Sequence, residues 1–301
     1  MIKVAFVYKP ENYFLTPNHF DLNFYYFFMK RLTEHPELNV RYYPSSDSFD
    51  CKDIKDIDVL LLYDLHSKFT PSLFNMDSVK GVKLAMSGDA HNCGDILGII
   101  QDYGIHHFFF TNTSDYFYRF FPSEYTYRQI IIGLNEGKGY YKSCPIPWNK
   151  RNQCILNAGA LNPIHHKLRI QCNTSEYVTY IPKTEQSVGD NFVSVLHEHR
   201  ASIAAADECF TLRCIEVPAA ECLSFIQING RNGADLIGFE DGVSAVLIDE
   251  SNYEQRFSEY FDTYDDPKWE RIAVAGREFV ASRYTNLHGV NSLVEYMKEL
   301  I

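Results

Sequence analysis

The stretch Asp207–Gly230, DECFTLRCIEVPAAECLSFIQING, carries two carboxylates, Glu208 and Glu216, with seven residues between them. A helix begun near Thr211 puts Glu208 in the loop before it and Glu216 about a turn and a half inside. A helix N-terminus presents unpaired N–H groups and a partial positive charge to an anion. A carboxylate further along can accept hydrogen bonds from ribose hydroxyls, as an acidic residue does in dinucleotide sites. That combination suits a nucleotide diphosphate. Two glutamates at this spacing also occur by chance in any chain.

Other chemistry-bearing patterns lose weight in context. Asp56-Ile57-Asp58 has the letters of a metal-binding Asp-x-Asp, yet it precedes its apolar run and reads as the solvated start of a strand. His106-His107, His165-His166 and the pair His197/His199 lack the spacing and further ligands of a zinc site, so no metal is expected. No G-x-x-x-x-G-K is present, nor G-x-G-x-x-G after the first strand, which lowers kinase and dehydrogenase readings. A G-x-S-x-G elbow is missing as well.

The elements that must position these residues alternate along the chain. Val4–Tyr8, Val40–Tyr43, Asp58–Leu65, Val82–Ser87 and Ile105–Thr111 read as strands, the continuous apolar runs fitting strands covered on both faces. Asn18 can cap a helix through Phe24, Phe28 and Leu32 that ends near His35-Pro36. Residues 133–152, GLNEGKGYYKSCPIPWNKRN, break all periodicity and suggest an interdomain linker. Beyond it, Gln153–Ala158, Tyr177–Ile181, Leu223–Asn229 and Ala245–Asp249 read as strands. Asn191–Ala206, Thr211–Ala220, Tyr253–Tyr264, Pro267–Ser282 and Leu287–Leu300 read as helices. The expected class is α/β, with two Rossmann-like lobes facing a central cleft: 1–140, 150–282, and a helix in 283–301 packing back on the first lobe. Such sheets bind ligands at the carboxyl ends of their strands.

Composition sets outer bounds. The 301 residues are 46% hydrophobic and 22% charged, which permits ordinary globular cores. No apolar run reaches the roughly 18 residues of a membrane span, and the first residues lack a secretory pattern, so a cytoplasmic location is expected by elimination. The eight cysteines form no C-x-x-C pair and read as reduced thiols. A net charge of −11 disfavours nucleic acid as a partner. Aromatics make up 15% of the chain; each reads first as core, with a sugar-stacking groove as the sharper alternative.

The order ECFTLRCIE, VPAAECL, SFIQING resembles the C-terminal lobe of retaining glycosyltransferases of the GT-B fold, in which two glutamates stand seven residues apart before a small-residue stretch and a strand. It looks closest to the spore-maturation-type branch, with Arg213 shortly before the second glutamate and GFEDGV, 238–243, matching a phenylalanine–acidic–acidic–glycine turn. The resemblance covers residues 153–282; the N-terminal half shares only the general layout.

The resemblance implies transfer of a sugar from a nucleotide-diphosphate donor, UDP- or GDP-sugar, with retention and without metal or other cofactor. Glu216 would then hold the donor ribose, and Glu208 would sit by the transferred sugar and its phosphates. The loop from Gly159 would approach the diphosphate, with Lys167 and Arg169 neutralising it. For both, the alternative is a solvated residue at a helix start. His91, with Asp89, would contact the donor sugar or the acceptor; turn chemistry at Gly88-Asp89 explains that loop equally. The acceptor would be a glycan, a lipid-linked sugar or a small molecule. Cys209 and Glu221 depart from the family pattern, which usually has glycine at both places. Two alternatives stay open: a catalytically silent nucleotide-sugar-binding or scaffold protein, and a nucleotide-sugar epimerase on the same fold.

Overall fold

The computed structural model describes residues 1–10, 24–62, 70–87, 93–110, 123–134, 136, 139–184, 189–208 and 210–301. The chain forms two compact units. One is built from described parts of residues 1–132 together with Asn286–Ile301, the other from Gly133–Thr285.

The first unit begins with strand β1 (Ile2–Tyr8), helix α1 (Phe24–Thr33) and β2 (Leu38–Pro44). Then come β3 (Ser48–Asp50), β4 (Val59–Leu62), β5 (Ser72–Phe74), β6 (Val82–Ser87), helix α2 (Cys93–Tyr103), β7 (His107–Phe110) and β8 (Thr126–Gln129). Its main sheet has the order β2-β1-β4-β6-β7-β8, and every pairing is parallel. The continuous apolar runs have a direct cause. Val4, Phe6, Val59, Leu61, Leu84 and Met86 face one core, while Ala5, Val7, Leu60, Leu62 and Ala85 face the other. Successive strand residues point to opposite faces, so a sheet buried on both sides must be apolar throughout. Asp56 pairs with Lys3 Nζ at 2.7 Å, and Asp58 accepts the Lys3 N–H at 2.8 Å. The Asp-x-Asp letters thus fasten a strand start.

The second unit holds β9 (Asn152–Gly159), helix α3 (Lys167–Cys172), β10 (Val178–Pro182), helix α4 (Gly189–His197) and β11 (His199–Ala204). It continues with helix α5 (Arg213–Ala219), β12 (Leu223–Gln227), β13 (Val246–Ile248), helix α6 (Tyr253–Asp262) and helix α7 (Pro267–Arg283). The sheet runs β10-β9-β11-β12-β13, again all parallel. Phe225, Phe257, Tyr260 and Trp269 fill the core between the sheet and the closing helices. Asp266 caps α7 by accepting the Lys268 N–H, with Pro267 at the first helical position, where its missing N–H costs nothing.

Three expectations need correction. Asn191–Ala206 is not one helix: α4 stops at His197, and β11 follows with all six residues buried. Alanine favours helix, but flanking parallel strands on both sides decide for strand. Helix α5 starts at Arg213 rather than Thr211, so Glu216 sits in its first turn. The segment read as a linker packs within the second unit. Trp148 joins its core, and the Tyr141 hydroxyl donates to the Tyr284 carbonyl at 2.7 Å.

Helix α5 ends in a Schellman motif. Cys222 N–H reaches the Val217 carbonyl at 3.3 Å and Glu221 N–H reaches that of Pro218 at 2.8 Å. The residue in left-handed conformation is Glu221, with φ 57°, where glycine is the usual choice.

Helix α8 (Asn286–Leu300) returns the chain to the first unit. Its Val290, Leu293, Val294 and Met297 share a core with Phe28, Leu32, Ile130 and Ile132.

Candidate functional site

From β9 the chain runs to one side of the second sheet, to β10, and then to the other, to β11. The carboxyl ends of β9 and β11 therefore flank a topological switch point, where open α/β sheets bind ligands. Gly159 ends β9 with φ 109°, a backbone conformation that side chains resist. Arg169 spans the switch point. Its Nη1 donates to the Ala160 carbonyl at 3.2 Å and its Nη2 to the Ala205 carbonyl. Only 5% of Arg169 is exposed, and its Nε is buried without a hydrogen-bond partner among the described residues. Burial, then the neighbouring Arg213 guanidinium, pull its pKa down to about 10. The solvated alternative for this residue is thereby excluded. Lys167, two residues earlier, has an exposed side chain.

Arg213 comes to the same place from α5. A Cβ at Gly159 would lie 3.7 Å from Arg213 Nη2 and 3.8 Å from Arg169 Nη1, so both guanidinium groups converge beside this glycine. The Arg213 guanidinium carbon is 3.5 Å from the centroid of the Phe192 ring, a cation–π contact with a fully buried aromatic. Its Nη1 is 3.4 Å from Glu216 Oε2. The other Glu216 oxygen accepts the Tyr140 hydroxyl at 3.1 Å. Gly159, Arg169, Arg213 and Glu216 are thus assembled at the carboxyl end of the sheet.

Glu208 is exposed beyond β11, and its Oε2 is 2.8 Å from His165 Nδ1. His166 is different. Its Nδ1 accepts the Asn162 N–H, and burial, followed by the charges of Arg169 and His165, lowers its pKa to about 4. His91, Asp89 and Cys209 lie outside the described residues. In the 238–243 turn, Asp241 pairs with Arg256 and accepts the Leu247 N–H at 2.9 Å, which gives that acid a structural duty. Among the described residues, no three His, Cys, Asp or Glu side chains are grouped to hold a metal ion.

Three residues that matter here were not singled out from sequence. Asp207 caps α3 through the Lys167 N–H and accepts Gln227 Nε2 at 3.0 Å, joining the ends of β11 and β12 to the start of α3. It was hidden because 191–206 read as a helix; the strand ending just before it is the signal. Tyr140 lay in the presumed linker, and Phe192 carries no pattern beyond being apolar.

The chain matches no protein-family model and, at a significant level, no curated protein sequence. Solved structures do match it along its length. Sucrose-phosphate synthase from Thermosynechococcus elongatus aligns over 100% of this chain and 99% of its own, at TM-score 0.62 and 11% identity. HepE from Anabaena, in complex with UDP-glucose, aligns over 100% of both chains at TM-score 0.58 and 10% identity. A trehalose-6-phosphate synthase aligns over 82% of this chain and 75% of its own, at TM-score 0.54 and 9% identity. The fold is GT-B. The GT-B assignment agrees with the two parallel sheets. Among the described residues, no helix is long and apolar enough to cross a membrane.

Proposed function

We propose that this protein is a glycosyltransferase that takes a nucleotide-diphosphate sugar, UDP- or GDP-linked, and passes the sugar to an acceptor hydroxyl with retention and without metal. The observation that carries this reading is the convergence of Arg169 and Arg213 beside Gly159, with Glu216 next to them. Arg169 spends its hydrogen bonds on neutral carbonyls, so two close cations meet in a largely dry place within an acidic chain. A diphosphate relieves that repulsion, and a strand end without a Cβ lets it come near. Glu216 then lies at hand for the ribose. The solved GT-B structures with UDP or UDP-glucose support the same class of ligand.

In the reaction, the bond between the anomeric carbon and the phosphate oxygen breaks and a bond to the acceptor oxygen forms. The bonding pair leaves with the nucleoside diphosphate, and the acceptor proton passes to that leaving group or to water. Arg169 and Arg213 stabilise the charge that builds on the departing phosphates, while Glu216 fixes the nucleoside end so that the anomeric carbon is held in place. Glu208, with His165 on it, is assigned to the transferred sugar. Lys167 is assigned to the outer phosphate and His91 to the sugar or acceptor.

A thermal-shift panel of UDP, GDP, ADP, dTDP and CMP with their sugar conjugates tests this. A ligand at a hundred times its Kd stabilises the native state by about 2.7 kcal/mol. One nucleotide should raise Tm clearly, and Glu216→Ala should abolish most of that rise. No shift with any nucleotide overturns the reading; a shift with donor but no turnover with any acceptor points to the silent binding protein instead.

A further inference from the structure

Gly139–Tyr141 forms a single 3-10 turn within the stretch that reads as a linker. The turn sits against α4: a Cβ at Gly139 would stand 3.0 Å from Val193 Cγ1, so any larger residue would have to push that methyl group back by a few tenths of an ångström. Tyr140, 5% exposed, is thereby fixed with its hydroxyl donating to Glu216 Oε1 at 3.1 Å. Arg213 Nη1 approaches the opposite oxygen, Oε2, at 3.4 Å, longer than a charge-assisted hydrogen bond. A carboxylate and a guanidinium this near favour a two-pronged pair, in which each consumes the other. The Tyr140 hydroxyl holds Oε1 on its own side and works against that closure. Each carboxylate oxygen keeps a second lone pair, and two adjacent oxygens so oriented match the two hydroxyls of a ribose diol.

Resting on the nucleotide-donor reading above, we propose that Tyr140 is a positioning residue: it holds the Glu216 carboxylate open to the ribose diol and so makes the site select ribonucleotides over their deoxy forms.

Calorimetric titration of the full chain with UDP and GDP, each beside its 2′-deoxy and 3′-deoxy counterpart, tests this. The wild type should bind the preferred ribonucleotide about tenfold or more tightly than its deoxy forms, as the loss of one hydrogen bond to a charged group requires. Tyr140→Phe should shrink that ratio roughly fivefold, with deoxynucleotide affinity nearly unchanged, because only the diol contact depends on the hydroxyl. Added to Glu216→Gln, the same change should alter the ratio no further, since coupled residues lose their separate effects. This double-variant comparison reads the coupling even where Tyr140→Phe lowers stability. An unchanged ratio in Tyr140→Phe, or an equal loss for ribo and deoxy forms, overturns the proposal and leaves Tyr140 a packing residue. Wild-type binding with no ribose preference overturns it too, while the donor reading stands. Binding of no nucleotide at all removes the donor reading itself.

Discussion

Arg151 holds Glu221 twice, through the backbone carbonyl by Nη1 and through the carboxylate by Nη2 at 3.1 Å. Arg277 takes the remaining carboxylate oxygen at 2.6 Å. The side chain of Arg151 is only 2% exposed and that of Glu221 14%, so this ion pair is nearly dry. A glutamate therefore occupies the left-handed end of α5, where family resemblance expects glycine, because two arginines fasten it there.

Competing magnitudes decide what Glu221→Gly does. Relief of the left-handed backbone returns about 1 kcal/mol. Loss of charge-assisted hydrogen bonds, with a buried guanidinium left behind, costs about 2–3 kcal/mol or more. The expected result is net destabilisation by about 1–2 kcal/mol, with Glu221→Ala lower again by about 1 kcal/mol since it keeps the strain. Urea denaturation of the three proteins gives the order. A glycine variant more stable than the wild type would show that the ion pair contributes little.

Arg169 and Lys are not interchangeable at the switch point. An ammonium cannot place two planar donors on the Ala160 and Ala205 carbonyls together. Arg169→Lys should lose about 1–3 kcal/mol, the cost of a buried carbonyl left unpaired. Inorganic pyrophosphate should raise the wild-type Tm by relieving the Arg169–Arg213 repulsion, and should raise that of the variant less. Equal shifts would place the pyrophosphate elsewhere.

His166 makes acid specifically harmful. Its folded pKa of about 4 lies below the ordinary histidine value of 6.5, so between these pH values the unfolded chain binds the proton and the native chain does not. The contribution of neutral His166 is complete above pH 6.5 and is lost progressively as pH falls toward 4. His166→Asn retains an acceptor for the Asn162 N–H and cannot titrate. Stability measured from pH 7 to 4 should fall less steeply in the variant; parallel curves would exonerate this histidine.

Glu208 and His165 form an exposed pair, with side chains 48% and 31% accessible. Exposed pairs contribute at most about 1 kcal/mol, so Glu208→Gln should leave Tm almost unmoved. If Glu208 serves the transferred sugar, kcat should drop at least tenfold while nucleoside diphosphate affinity stays. A variant with wild-type turnover removes Glu208 from the chemistry.

Strands β1, β4, β6 and β7 of the first unit were legible because burial on both faces writes an apolar run, as in Val59–Leu62, whereas the partly exposed β8 and the three-residue β3 and β5 were missed. The second unit was legible except at β11, where an alanine-rich composition favours helix and only the neighbouring strands, invisible locally, overrule it. Glu216 stood out through its spacing from Glu208, and Gly159, Arg169 and Arg213 through the family resemblance; these four do come together. Tyr140 could not be foreseen: its contact with Glu216 joins positions 76 residues apart, and its local sequence is glycine-rich and aperiodic. Asp207 was missed for a related reason, since its role depends on the ends of β11 and β12 meeting the start of α3.

The return of α8 to the first unit sets an order of events during synthesis. Ile130, Ile132 and Phe28 are covered partly by Val290, Leu293 and Met297, which emerge from the ribosome only after residues 133–285. The second unit can finish folding while the first still shows a bare apolar strip to the cell. Protein made up to residue 285 is accordingly a sticky, protease-sensitive species, and the last helix is what seals it.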